Sequence, residues 1–72
     1  MAIFTSSAMA LRRKLIVNGL RKSGAVSPET AKTLAEAGVE LPDAFPEYTE
    51  KLALYEIINR TADGRYWIGD SE

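Results

Sequence analysis

Asp63-Gly64, set between "IINRT" and "RYWI", constrains this chain more than any other dipeptide in it. A tight turn with positive φ at both central positions suits Asp-Gly, and β-forming residues on either side make the segment a hairpin. With a two-residue turn, Thr61 faces Tyr66, Arg60 faces Trp67 and Asn59 faces Ile68. One face then carries Ile57, Thr61, Tyr66 and Ile68; the other carries Ile58, Arg60, Arg65 and Trp67. A slip of one residue exchanges these faces.

The rest of the chain reads as helical. From Ser7 to Lys22, Met9, Ile16, Val17 and Leu20 gather at helical spacing, and Leu11 and Leu15 form a second, narrower stripe away from them. This pattern predicts a helix contacted on two sides, with Arg21 and Lys22 at its negative end and Gly24 as its stop. Gly19 inside it costs about 1 kcal/mol relative to Ala. Ser27, Pro28 and Glu29 combine a cap, a proline at the first helical position and an acid in the first turn, predicting a second helix from Pro28 to Ala37 that stops at Gly38. Pro46 opens a third, to Glu56, whose stripe of Tyr48, Leu52 and Tyr55, extended back to Phe45, reads as core. One 72-residue domain is expected, with 1–6 and 70–72 as mobile ends.

Cys and His are both absent, which excludes disulfides, imidazole ligands and nucleophile-His catalysis. Acids such as Glu36, Glu40, Asp43, Glu47 and Glu50 show no paired spacing around a definable pocket, and so small a chain has little room for a cleft. No catalysis, cofactor, metal or small-molecule substrate is expected. The N-terminal "MAIFTSSAMA" has neither the basic start of a signal peptide nor the length of a membrane span, so a cytoplasmic location is expected. Charge is polarised: residues 1–28 carry five Lys/Arg and no Asp/Glu, and residues 29–72 carry four against ten, so the parts are +5 and −6.

Helix, helix, helix and hairpin is the order of a winged helix. "ETAKTLAEAGV" resembles the second helix and turn of helix-turn-helix domains, and "IINRTADGRYWI" looks like the wing of many bacterial winged-helix proteins. The resemblance implies an α+β, winged-helix-like fold of three helices followed by a C-terminal two-stranded antiparallel hairpin. The chain departs from the pattern in three places. Gly38 follows Thr30 by eight residues rather than nine, and the connection to Pro46 is longer than a helix-turn-helix turn. The third helix, which in DNA-binding members enters the major groove, offers Glu47, Glu50, Lys51 and Leu54, with no Arg, Asn or Gln to read bases.

Two functions follow from these residues. The first is a non-catalytic protein-interaction or homodimerisation module, with Leu54, Arg60, Arg65 and Trp67 as contact residues. The second is nucleic-acid binding through the first helix and the wing, using Arg13, Lys14, Arg21, Arg60, Arg65 and Trp67. The competing reading of the hairpin packs Trp67 into the core with Arg60 stacked on its ring.

Overall fold

The computed structural model describes residues 3–69, with side chains from Met9 onward; Met1, Ala2 and residues 70–72 lie outside them. Two α-helices, α1 (Ile3–Lys22) and α2 (Pro46–Leu54), precede a hairpin of β1 (Asn59–Arg60) and β2 (Tyr66–Trp67). Helix α1 therefore starts four residues ahead of Ser7. It ends as the sequence indicates: Gly24 takes φ 83°, and the Ala25 N–H donates to the Leu20 carbonyl at 2.9 Å.

The expected second helix is absent, so the described residues form two α-helices where the sequence reading has three. In its place a 3-10 turn, Pro28–Thr30, is followed by an extended stretch and a single helical turn over residues 34–38. Two local caps divide the segment. Thr30 Oγ1 accepts the Val26 and Ser27 amides at 3.1 Å. Thr33 and Glu36 then form a reciprocal capping box: the Thr33 N–H donates to Glu36 Oε1 at 3.0 Å, and the Glu36 N–H to Thr33 Oγ1 at 3.1 Å. Between the caps Lys32 is extended and exchanges two backbone bonds with Tyr66, at 2.9 and 2.8 Å. A continuous helix would forfeit that pair.

Helix α2 begins at Pro46 as expected. Its buried line is Thr49 and Leu52, with Tyr48 and Ala53 half-buried, whereas Tyr55 and Phe45, both expected in the core, are exposed. On α1 the first stripe is core, with Ile16 and Leu20 fully buried, but Leu11 and Leu15 face solvent. Gly19 has a packing role: a Cβ there would sit 2.8 Å from Val39 Cγ2 and 3.2 Å from the Ala37 carbonyl oxygen, so glycine lets the 37–39 turn press against α1.

The hairpin register differs by one from the two-residue-turn expectation. Asn59 pairs with Trp67 and Arg60 with Tyr66, and the Thr61 N–H donates to the Arg65 carbonyl at 2.8 Å, closing a three-residue loop, Ala62-Asp63-Gly64. Gly64 at φ 85° supplies the left-handed position. This register sets Ile58 opposite Ile68, and both are buried in the core with Ile16, Leu20, Ala25, Leu34, Val39 and Leu52. Strand β2 is central: the Ile68 N–H also donates to the Ala25 carbonyl at 2.9 Å, so the 25–32 segment borders it opposite β1.

Candidate interaction surfaces

The register decides what the hairpin offers. Arg60 and Tyr66 form a cross-strand pair on one face, and the Arg60 guanidinium lies 5.4 Å from the Tyr66 ring centroid. Arg60 Nη2 also donates to Glu50 Oε2 at 2.6 Å and to the Tyr66 hydroxyl at 3.2 Å. These bonds, Glu50's first, raise the pKa of Arg60 above its ordinary value. Trp67 pairs with Asn59 on the opposite face and packs half-buried against the core. The expected face of Arg60, Arg65 and Trp67 therefore does not form, and Arg60 stacks on Tyr66 rather than on Trp67.

Arg65 is also engaged. Its Nη1 meets Glu36 Oε1 at 2.7 Å and its Nε meets Asp63 Oδ2 at 3.2 Å. Thr61 Oγ1 donates to Asp63 Oδ1 and accepts the Arg65 N–H at 3.0 Å. Asp63 is held below its ordinary pKa first by the Thr61 hydroxyl and further by Arg65. Glu36 is likewise lowered, first by the Thr33 amide, with partial desolvation opposing and Arg65 reinforcing the shift. Both hairpin cations are thus neutralised within the chain.

A groove of about 400 Å³ has Thr33, Pro42, Asp43, Thr49, Glu50 and Tyr66 among its lining. It is open and holds no cluster of three potential metal ligands among the described residues.

Helix α1 keeps its charge available. Arg13, Lys14, Arg21 and Lys22 are exposed and make no ion pair among the described residues. Arg13 and Lys14 border a second groove, of about 480 Å³, with Ala10, Val17, Asn18 and Ile57. Leu54 is 72% exposed at the end of α2, beside Tyr55 at 68%.

Arg12 stands apart from its basic neighbours. It is 5% exposed, and its guanidinium donates to three backbone carbonyls: Nη1 to Glu40 at 2.9 Å, and Nη2 to Leu41 at 3.0 Å and Ala44 at 3.1 Å. Its Cζ lies 5.8 Å from the Phe45 ring centroid. In the sequence it is the first of three consecutive cations, Arg12-Arg13-Lys14. The signal that separates it is positional, because Arg12, Ile16 and Leu20 share one helical line.

No protein-family model, curated protein or solved structure matches the chain. Among the described residues no helix is long and apolar enough to cross a membrane.

Proposed function

We propose that this chain is a non-catalytic protein-interaction module. One observation carries the reading: seven large apolar side chains, Leu11, Leu15, Val26, Leu41, Phe45, Leu54 and Tyr55, are exposed on a molecule of 72 residues. Scattered singly, such residues need no explanation, but contiguous ones mark contact surfaces. Leu54 and Tyr55 are adjacent at one helix end, and Leu11 and Leu15 lie one turn apart on another. The absence of imidazole and thiol chemistry supports binding over catalysis.

The test is a pull-down from cell extract with the intact chain, alongside its Leu54→Glu and Leu15→Glu variants, combined with sedimentation of the purified protein. A partner or self-association that one of these variants abolishes supports the reading. A monomer that captures nothing sinks it.

A second reading, nucleic-acid binding, is favoured by the four exposed cations of α1, a helix without any acid, which make no ion pair among the described residues. With Arg60 and Arg65 engaged by Glu50, Glu36 and Asp63, it now rests on Arg13, Lys14, Arg21 and Lys22. Its contacts are to phosphates, so binding should weaken steeply with salt. A duplex titration at low salt, followed by backbone NMR shifts, decides it: shifts confined to α1 support it, and no shift eliminates it.

A further inference from the structure

We propose that the groove between α1 and Ile57 receives an acidic amphipathic helix of a partner protein, with its aliphatic stripe on Ala10, Val17 and Ile57 and its carboxylates against Arg13, Lys14 and Arg21. The inference rests on the interaction-module reading and names the chemistry of that module's partner.

This groove of about 480 Å³ joins aliphatic and basic lining residues. Ala10 and Val17, seven residues apart, share one line of α1. At about 3.6 residues per turn, Arg13 and Lys14 fall about 50° to either side of that line. Arg21 joins them from the next turn, since its Nη1 donates at 3.5 Å to Oδ1 of Asn18, a lining residue. No acid lines the groove, and the three cations make no ion pair among the described residues.

Ile57 is delivered by the end of α2. The Glu56 N–H donates to the Ala53 carbonyl at 3.1 Å and the Ile57 N–H to the Leu52 carbonyl at 2.9 Å, the paired bonds of a Schellman stop. Its left-handed position, commonly glycine, is Glu56 at φ 63°. Ile57 and Val17 both pack on the core yet are only half-buried, so each keeps apolar surface for an occupant. Glu56 is exposed and lies outside the lining.

Charge and backbone together select that occupant. Three cations without an acid among them call for an anionic partner, and the aliphatic residues between them call for an apolar one. A helix such as α1 offers no ladder edge, so an extended segment would dock with its N–H and C=O groups unpaired, whereas a helix arrives with them satisfied. An apolar stripe between two lines of acids matches the Ala10–Val17 line between Arg13 and Lys14. A phosphate backbone fits less well. It has no apolar counterpart for Val17 and Ile57, and Arg13 and Lys22 lie about 180° apart around α1, so one strand cannot follow all four exposed cations.

Titration of the intact chain, followed by the methyl NMR signals of Ala10, Val17 and Ile57, tests this with a helical peptide of about 18 residues whose leucine stripe is flanked by glutamates. Saturable shifts with Kd between about 10 µM and about 1 mM are expected. They should vanish when the peptide's leucines become serines, a change that leaves the protein untouched. Arg13→Glu combined with Lys14→Glu, at two exposed positions and with circular dichroism confirming the fold, should weaken binding by about tenfold or more. A peptide with lysines for glutamates should then prefer this variant over wild type by about tenfold. Equal binding of the leucine and serine peptides would reduce the site to charge alone and overturns the inference. Silence of the three methyls at about 1 mM peptide overturns it as well. A stronger response to duplex DNA or to phosphatidylserine vesicles than to the peptide also does so, assigning the groove to a polyanion or a membrane. If the groove fails, a partner captured in the pull-down and lost in Leu54→Glu or Leu15→Glu keeps the interaction-module reading, and an empty pull-down removes both.

Discussion

Arg12 Nη2 donates to the carbonyl oxygen of Leu41 at 3.0 Å, joining the middle of α1 to a residue twenty-nine positions later whose backbone is left-handed. With Glu40 and Ala44 as further acceptors and the Phe45 ring alongside, the guanidinium is the centre around which the 40–45 loop turns. No carboxylate pairs with it among the described residues, so carbonyl dipoles and the ring face supply the compensation a buried charge requires.

Arg12→Met keeps the length of the side chain but leaves those carbonyls without a donor, and it should cost about 2–4 kcal/mol. Arg12→Lys retains the charge without the planar fork and should recover less than half of the loss. Urea unfolding of the three proteins measures both effects. Equal stability of all three would show that the loop stands without the clamp.

Gly19→Ala sets two effects against each other. Helix propensity favours Ala by about 1 kcal/mol, but the new Cβ meets Val39 Cγ2 and the Ala37 carbonyl, an overlap expected to cost about 1–3 kcal/mol. The variant should be less stable than wild type. Combining it with Val39→Ala should cost less than the sum of the single changes, and a double-mutant cycle by thermal unfolding reads that coupling.

The hairpin loop makes two demands. Gly64→Ala places a Cβ at φ 85° and should cost about 1 kcal/mol. Thr61→Val removes the acceptor for the Arg65 amide and should cost about the same. Hydrogen exchange should report faster loss of the Thr61 and Arg65 amides in both, with the Ile58 and Ile68 amides less affected; uniform change along the hairpin would contradict the local account.

Glu36 links the capping box to acid sensitivity. Because the Thr33 amide and Arg65 hold its folded pKa below the ordinary 4.5, its contribution is complete above 4.5 and is lost as pH falls through the depressed folded value. Glu36→Gln should therefore be less stable than wild type near neutrality, and the difference should shrink as the medium is acidified. Asp63, lowered first by Thr61, acts in the same direction. A gap that widens towards acid would reverse the assigned sign. The group is solvated, so the effect is small.

Several boundaries are legible in the residues because their causes are local. Gly24, Gly38 and Gly64 all take positive φ, and Pro46 opens α2. Thr33-x-x-Glu36 carries the signal for the break in the expected second helix, since a capping box marks a helix start and here it falls inside a presumed helix. Asp63-Gly64 indicates a hairpin but suits a two-residue turn and the end of a three-residue loop alike, so register is not contained in that dipeptide. Of the expected contact residues, Leu54 is exposed as anticipated, while Arg60, Arg65 and Trp67 are divided between two faces and two ion-pair sets.

What the amino-acid sequence determined by itself is the punctuation of the chain, the helical line Ile16–Leu20, the existence of a hairpin and the separation of positive and negative charge. Each depends on backbone preference or on spacing within a few residues. Tertiary structure alone decided that Lys32 pairs with Tyr66 instead of continuing a helix, and that Ile58 rather than Asn59 faces Ile68. It also decided that Arg12, among three consecutive cations, is buried beneath a loop in which Leu41 and Phe45 are left-handed. These outcomes turn on which segments meet across the core, where one more buried side chain or one more satisfied carbonyl outweighs the small differences in local propensity.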